Sequence, residues 1–273
     1  MKSLIEKTPI IRPALLAAYR LKIMSGYLTP QFWRGFRWIF KSRETTNFTY
    51  QLTPTNKAYL CETLSLVTGI DHEKFASYLD EIENDQSLRD HVLSTTAASG
   101  LAYKADTEVR LHKRIGWYAL VRAMKPKVVV ETGVDKGLGS VVLCCALLRN
   151  REEGHPGHYY GTDLNPQAGY LLKGTYAEMG EILYGDSLES LQEFKQQIDI
   201  FINDSDHSAE YEAQEYEAVI GKLSLNGVIL GDNSHATDKL MHFSHAHNRH
   251  FLFWKEEPLN HWYPGGGIGY SWK

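Results

Sequence analysis

The stretch KVVVETGVDKGLGS, from Lys127 to Ser140, decides the fold. Its three consecutive valines are typical of a buried strand. Its three glycines, spaced G-x-x-x-G-x-G, are typical of a tight turn that leads into a helix. A dinucleotide-binding turn requires G-x-G-x-x-G, and a phosphate-binding loop ends in Lys-Ser or Lys-Thr, so this spacing argues against both. The acid at the strand end, Glu131, would attract an ammonium or sulfonium group. The structural alternative is a plain turn that buries this acid.

The same stretch opens a series in which apolar runs of strand length alternate with helical patterns. The predicted strands cover 127–131, 158–161, 182–184, 198–203 and 227–231. The predicted helices between them cover 137–149, 166–179, 187–197 and 208–223. This alternation predicts an α/β fold with a doubly wound parallel sheet and helices on both faces. Two last strands, 250–255 and 267–272, are joined by a turn without a helix. They predict a hairpin that closes the sheet with one antiparallel strand.

Residues 1–103 differ from this pattern, and we expect a helical N-terminal extension there, followed by the main domain at 104–273. Apolar residues at helical spacing recur between capping residues and glycine. Three helices are expected: one capped by Thr55 that ends at Gly69, one capped by Asp71, and one over 87–95.

The first 45 residues form a basic aromatic arm. Residues 1–43 carry nine Lys and Arg side chains and one acid, so their net charge is +8. Because the whole chain has a net charge of −4, the other 230 residues carry −12. A pair of short helices packed on the main domain or on a partner subunit is the favoured interpretation, because aromatic residues recur every three or four positions. A membrane-facing surface and a basic lip over an anionic substrate stay open.

Composition narrows the class of protein. The 273 residues, of which 43% are hydrophobic and 23% charged, suit one large globular domain or a domain with an extension. Three cysteines, two of them adjacent, argue against a disulfide framework and indicate a reducing, cytoplasmic setting. The longest apolar run, 141–148, is too short to cross a bilayer, and no secretory signal is visible. Because the basic excess is confined to one end, a nucleic-acid binder is not expected.

Acidic side chains follow several predicted strands, at the edge of the sheet where ligands bind in such folds. Asp163 ends the second strand and would suit ribose hydroxyls. Asp186 and Ser187 follow the third strand, where a carboxylate would suit the exocyclic amine of an adenine. The structural alternative for each acid is to cap the next helix.

The fourth and fifth strands end in oxygen donors. Asp204 follows the fourth strand, and Asp232 and Asn233 follow the fifth. Two carboxylates and one amide form an oxygen half-shell of the kind that Mg²⁺ prefers, and plain solvated acids are the alternative. Five histidines lie between positions 235 and 250. An arginine shares the helical face expected of two of them and would repel a metal ion, so surface or pocket histidines are favoured over a zinc site.

Taken together, these motifs make residues 104–273 resemble the class I S-adenosylmethionine-dependent O-methyltransferases. Within them the chain is similar to the divalent-metal branch, which includes macrolide and aminocoumarin sugar methyltransferases and cephalosporin-hydroxylase-like proteins; catechol O-methyltransferase is more distant. The motifs are ETGVDKGLGS at 131–140, YYGTD at 159–163, GDS at 185–187, INDSDH at 202–207 and LGDN at 230–233. The resemblance implies a Rossmann-like sheet of seven mostly parallel strands, one of them antiparallel.

The resemblance also implies roles for individual residues. Mg²⁺ would be held by Asp204, Asp232 and Asn233. Relatives place the base that deprotonates the acceptor at the position of His207 or of Asp206. A neutral imidazole beside a metal ion favours His207. S-adenosylmethionine would be held by the glycine turn and the next two strand ends, that is by Glu131, Thr132, Gly133, Gly137, Gly139, Ser140, Asp163, Asp186 and Ser187.

The expected function is the Mg²⁺-dependent transfer of a methyl group from S-adenosylmethionine to a hydroxyl of a sugar, polyol or natural-product acceptor. A homo-oligomer is expected, and membrane contact is not favoured. One alternative is a metal-dependent hydroxylase on the same fold, although no two-histidine, one-carboxylate set is visible. Another is a non-catalytic nucleotide-binding subunit, against which the intact metal and base residues argue. The glycine spacing disfavours a dehydrogenase.

Overall fold

The computed structural model describes residues 12–45, 48–206 and 208–273. Within these ranges seven strands form one sheet in the spatial order β3-β2-β1-β4-β5-β7-β6. The strands are β1 (Val128–Thr132), β2 (His158–Asp163), β3 (Gly180–Tyr184), β4 (Ile198–Asn203), β5 (Leu223–Gly231), β6 (His250–Lys255) and β7 (Gly267–Trp272).

The pairing of the strands confirms the predicted fold class. β1 pairs in parallel with β2 and β4, β2 with β3, and β4 with β5. β7 runs antiparallel to both of its neighbours, β5 and β6, so it is the one reversed strand in the described sheet. β6 therefore runs parallel to β5. The carboxyl ends of β1 to β6 all meet at one edge, where ligands bind in this class of fold.

Helices cover both faces because alternate residues of the buried strands point to opposite sides. The helices are α1 (Arg12–Lys41), α2 (Pro54–Thr68), α3 (His72–Glu83), α4 (Gln86–Ala98), α5 (Arg114–Met124), α6 (Leu138–Glu152), α7 (Ser187–Glu193), α8 (Ala209–Val219) and α9 (Lys239–Ala246). Val129 belongs to the apolar core beneath α5 and α6, whereas Val128 and Val130 belong to the core beneath α7 to α9.

The three helices expected in the extension are present as α2, α3 and α4, and they share one apolar core with α5 and α6. Gly69 ends α2 in the left-handed conformation, and the Asp71 carboxylate caps α3. The cap of α2 was predicted two residues too late. The hydroxyl of Thr53, not of Thr55, accepts the hydrogen bond from the Asn56 N–H, because Pro54 suits the first helical position.

The arm differs from the predicted pair of short helices, because residues 12–41 form one continuous helix. Pro30 removes only its own hydrogen bond, and the residues on either side continue the helix across it. No side chain of α1 is buried. The helix contacts the main body near its C-terminal end, where Trp38 packs on Phe48 and Trp262. None of the described helices, α1 included, is long and apolar enough to cross a membrane.

The helix predicted over 166–179 is wrong. The chain is irregular there and ends in a single 3-10 turn, Gly174–Met179. Gly169 has a φ of 74°, and its N–H donates to the carbonyl of Asp135 at 2.7 Å instead of to a helical partner. A Cβ on Gly137 would lie 3.0 Å from the Cα of Gly169, so the segment packs tightly against the glycine turn.

Candidate active site

A cavity of about 460 Å³ opens at the carboxyl edge of the sheet, above the ends of β1 to β4. Its volume lies in the range of small-molecule and cofactor sites. Its wall carries five carboxylates and one guanidinium among the described residues, so the cavity favours a ligand with positive charge. The lining residues are Arg114, Gly133, Asp135, Thr162, Asp163, Leu164, Gly185, Asp186, Ser187, Asp204, Ser205, Asp206 and Tyr211.

The glycine turn after β1 forms one wall of this cavity. Gly133 has a φ of 83°, and a Cβ there would lie 2.0 Å from the carbonyl oxygen of Asp204. Only glycine therefore lets β1 and β4 end side by side. Of the other predicted turn residues, Gly137 packs on Gly169, and Ser140 is buried behind the turn.

Glu131 lies behind the cavity wall and not on it. The side chain is 1% exposed and accepts hydrogen bonds from the Tyr159 hydroxyl at 2.5 Å and from the Ser140 hydroxyl at 3.3 Å. A Cβ on Gly139 would lie 2.1 Å from the Glu131 carboxylate, so that glycine makes room for the acid. Burial raises the pKa of Glu131 to about 7, although the hydrogen bond from Tyr159 and the charge of Arg114 oppose the shift.

We expect Glu131→Gln to stabilise the protein at alkaline pH. Because the folded-state pKa is raised above the unfolded value, the stability that the protonated acid contributes is complete below pH 4.5 and is lost as the pH rises to 7. Glutamine stays neutral, so its advantage should grow over this window to on the order of 3 kcal/mol at pH 8. Urea unfolding at pH 5 and pH 8 measures it, with the exposed Glu193→Gln as the control. An equal effect at both pH values would contradict the expectation.

The two acids proposed to hold the nucleoside line the cavity, and each also caps backbone groups. Asp163 accepts from the N–H groups of Val134 and Asp135 in the glycine turn, at 3.1 and 2.9 Å. Asp186 caps α7 through the Leu188 and Glu189 N–H groups, and it accepts from the Tyr211 hydroxyl at 3.0 Å. The expectation that each acid caps the next helix therefore holds for Asp186 only, since Asp163 binds the glycine turn and no α-helix follows β2 directly. These hydrogen bonds hold both carboxylates at the rim.

A buried acid that sequence reasoning missed lies beneath the cavity. Glu215 of α8 accepts hydrogen bonds from Thr132 at 3.1 Å and Ser205 at 2.8 Å, and it also contacts Asn203 and Ser187. Burial raises its pKa, although these four donors oppose the shift. Glu215 thus ties the ends of β1 and β4 to the start of α7. Thr132 serves this network and does not reach the cavity.

The structure brings the predicted metal-binding acids together. The side chains of Asp204 and Asp232 lie within hydrogen-bond reach of each other, and Asn233 beside them is 4% exposed. Burial and the charge of Asp232 raise the pKa of Asp204 well above its ordinary value. Burial would also raise the pKa of Asp232, but the ammonium of Lys113 outweighs it and lowers that pKa.

Two cations that sequence reasoning missed lie against this acidic pair. The Lys113 ammonium contacts Asp232, and the Arg114 guanidinium lies 3.6 Å from Asp204. Lys113 comes just before α5 and Arg114 is the first residue of that helix. The sequence signal for them is the run His112-Lys113-Arg114 at the start of a helix that is mostly buried. Among the described residues, no three His, Cys, Asp or Glu side chains form a metal-binding group. A metal ion at the acidic pair would need Asn233 as its third ligand.

The two candidate bases follow Asp204. Asp206 is exposed at the cavity mouth, and its carboxylate accepts from the N–H and the hydroxyl of Ser208 at 3.1 and 3.2 Å. His207 lies outside the described residues.

Comparison with known proteins identifies the domain. A family model described as a methyltransferase domain matches residues 130–234, the segment from β1 to the turn after β5. We identify this segment as a methyltransferase domain. The resemblance to methyltransferases drawn from the motifs is thereby confirmed. No sequence among curated proteins matches the chain.

Two solved structures share the methyltransferase fold. A methyltransferase from Geobacter sulfurreducens is 17% identical, with a TM-score of 0.51 over 75% of this chain and 98% of the other. The SAH-bound methyltransferase PaMTH1 from Podospora anserina is also 17% identical, with a TM-score of 0.51 over 74% of this chain and 94% of the other. At this level of identity the two structures establish the common fold.

Proposed function

We propose that this methyltransferase transfers a methyl group from S-adenosylmethionine to a hydroxyl of a sugar, polyol or natural-product acceptor, with Mg²⁺ beside the reacting oxygen. The observation that carries the proposal is the position of Asp204, which lines the cofactor-sized cavity and also faces Asp232. A donor in the cavity and an acceptor oxygen at the acidic pair would therefore adjoin each other. The SAH in the Podospora relative supports this choice of donor.

The residues of the cavity fit the donor in charge. Bound S-adenosylmethionine supplies a methyl group on a positively charged sulfur. Five acids, which include Asp163 and Asp186, surround the cavity and favour such a cation. Asp163 would hold the ribose, and Asp186 with Ser187 would hold the adenine side. Glu131 and the glycines behind the wall would fix the shape of the turn that meets the methionine portion.

The acidic pair offers oxygen ligands, which are the type that Mg²⁺ prefers. Asp204 and Asp232 offer two carboxylates whose side chains are 12% and 10% exposed, and Asn233 would complete an oxygen set of the type that hard cations prefer. Bound Mg²⁺ would lower the pKa of the acceptor hydroxyl. Lys113 neutralises the same charge in the structure, so we propose that the metal ion and this ammonium compete for Asp232.

Replacing Lys113 tests that competition. We expect Lys113→Met to bind Mn²⁺, a spectroscopic substitute for Mg²⁺, at least about 10-fold more tightly than the wild type, because no ammonium then neutralises Asp232. Titration followed by electron paramagnetic resonance measures this affinity. Lys125→Met is the matched control, since Lys125 pairs with Glu153 on the surface. Equal Mn²⁺ affinity in all three proteins would refute the competition.

A base near the acidic pair must take the proton of the acceptor hydroxyl. We propose His207 for this role and Asp206 as the second candidate, because both follow Asp204 closely in the sequence and Asp206 lines the cavity. An imidazole titrates near neutral pH and can accept the proton there. Turnover of His207→Ala compared with that of Asp206→Asn would identify the base.

Calorimetry and mass spectrometry test the whole function. We expect S-adenosylmethionine to bind the full chain and a panel of sugars and polyols to yield a product heavier by one methylene group. Binding without any product would favour the non-catalytic subunit. A hydroxylated product, formed only with iron and an oxidisable cosubstrate, would favour the hydroxylase.

We also propose that the chain self-associates through α1. Leu21, Met24, Leu28, Phe32 and Phe36 recur at helical spacing and are between 46% and 64% exposed, so they form an apolar stripe that lacks cover in the described chain. Sedimentation velocity of Phe32→Ser/Phe36→Ser tests this, with Leu225→Ser as the control. Binding to lipid vesicles instead would favour membrane contact.

The free, buried cysteines suit the reducing cytoplasm that we propose for the protein.

A further inference from the structure

A second cavity, of about 640 Å³, lies between α1 and the turn that joins β6 to β7. Four residues of α1 line it: Arg34, Arg37, Trp38 and Lys41. Their spacing of i, i+3, i+4 and i+7 places them on one face of the helix. The helix thus turns a cationic face to this cavity.

In the part of the chain that the structure describes, no acid neutralises the cations of this face. None of the described carboxylates lies within ion-pair distance of Arg34, Arg37 or Lys41. The two acids in the wall are already engaged. Asp106 accepts from the Ser42 hydroxyl at 3.0 Å and from the Arg43 N–H at 2.7 Å, and Glu108 pairs with Arg110 at 2.5 Å. Three adjacent cations without partners make an anion-binding surface.

Aromatic side chains supply a second, independent observation. Trp38, His261 and Trp262 line the same cavity, and the two tryptophan rings lie 5.2 Å apart. One ring nitrogen of each is buried and has no hydrogen-bond partner among the described residues. Buried donors of this kind are rarely left unsatisfied in folded proteins. A ligand with acceptor oxygens and a ring would offer hydrogen-bond acceptors to the nitrogens and would stack on the half-buried rings.

The cavity lies on the same edge of the sheet as the acidic pair. β6 ends at Lys255, which pairs with Gly267, and β5 ends at Gly231, which pairs with Gly269. Two strand spacings separate the ends of β5 and β6, which is about 10 Å. Contacts also join the two places, because Glu256 accepts from the Tyr50 hydroxyl and the Lys113 N–H, both at 3.0 Å. Tyr50 lines the cavity, and the ammonium of Lys113 contacts Asp232.

We propose that this cavity binds the phosphate group of a phosphorylated sugar acceptor, with the guanidinium groups of Arg34 and Arg37 and the Lys41 ammonium on the phosphate and the tryptophans against the sugar ring. The identification of the ligand as the acceptor rests on the function proposed above. The anion site itself does not. Arginine forks match phosphate oxygens in geometry, and aromatic faces stack on the apolar side of sugar rings.

Titration of the full chain with inorganic pyrophosphate, without metal, tests the anion site. We expect submillimolar binding to the wild type and at least a 30-fold loss in Arg34→Gln/Arg37→Gln/Lys41→Gln. Arg20→Gln/Lys22→Gln removes two charges from the same helix outside the cavity and should bind as the wild type does. S-adenosylmethionine affinity should stay equal in all three proteins, which verifies that they are folded. No binding to the wild type, retained affinity in the triple variant, or an equal loss in the control would overturn the proposal.

Glucose and glucose 1-phosphate test the acceptor class. We expect kcat/KM at least 10-fold higher for the phosphate ester, with the preference lost in the triple variant. A preference for glucose would overturn the assignment of this cavity to the acceptor. If pyrophosphate binds as expected and neither sugar is methylated, the anion site stands and the proposed function fails for these acceptors.

Discussion

Asp232→Asn should lower methyl transfer by at least about 10³-fold and leave S-adenosylmethionine affinity within about threefold of the wild type. The physical reason is that Asp232 supplies half of the charge of the acidic pair but does not line the cofactor cavity. Loss of that charge removes the centre that would hold the metal ion and acceptor, and it leaves the donor site intact. Single-turnover transfer and calorimetry measure the two effects separately.

Asp238→Asn is the matched control, because it makes the same chemical change at a side chain that is 61% exposed, just before α9. Since Asp232→Asn leaves the Lys113 ammonium without its partner, Lys113→Met/Asp232→Asn removes both charges and separates a folding defect from a catalytic one. Full transfer activity in Asp232→Asn, or in the wild type in excess chelator, would remove the metal ion from the mechanism.

Gly133→Ala should destabilise the fold by more than about 3 kcal/mol and abolish cofactor binding. The alanine would adopt a φ of 83°, and its Cβ would meet the Asp204 carbonyl at 2.0 Å, where two strand ends cannot separate without breaking the sheet. Hydrogen bonds fix both sides of this contact, from the Gly133 N–H to Thr162 and from the Asp204 N–H to Thr132, each at 2.9 Å.

Gly154→Ala measures how much of that destabilisation comes from the left-handed backbone conformation alone. Gly154 has a φ of 85°, and nothing lies within 4 Å of a Cβ placed there, so only the left-handed conformation is penalised, by about 1 kcal/mol. The free energies of unfolding of the two variants, measured in urea, should therefore differ by about 2 kcal/mol or more. Equal destabilisation would mean that crowding at the strand ends contributes nothing.

Much of the sheet was predictable because strand signals are local. The bounds of β4, β6 and β7 match the predicted 198–203, 250–255 and 267–272. Short apolar runs between turn residues carry that information. The prediction of a helix over 166–179 failed because Gly169 contacts the turn after β1, and no local pattern records that contact. The two short helices of the arm failed because proline within a helix breaks only one hydrogen bond.

In the candidate site too, some residues could be predicted from the sequence and others could not. The positions of Asp163, Asp186, Asp204 and Asp232 follow from strand ends, and the structure brings each of them to one edge. Lys113 reaches Asp232 across 119 residues of chain, and that contact depends on how α5 packs on the sheet. Contacts of this type are set by tertiary packing, so periodicity and spacing cannot reveal them.

The reversed direction of β7 has a consequence for how such enzymes diversify. In a strictly parallel sheet, a crossover helix would carry the chain away from the catalytic edge after β6. Here the chain turns back at that edge through a short hairpin connection, which supplies His261 and Trp262 to the second cavity. If the second cavity holds the acceptor, as proposed above, insertions or replacements in this connection would alter which acceptor is admitted and leave the cavity proposed for the donor untouched. The two proposed halves of the active site would then be free to evolve separately.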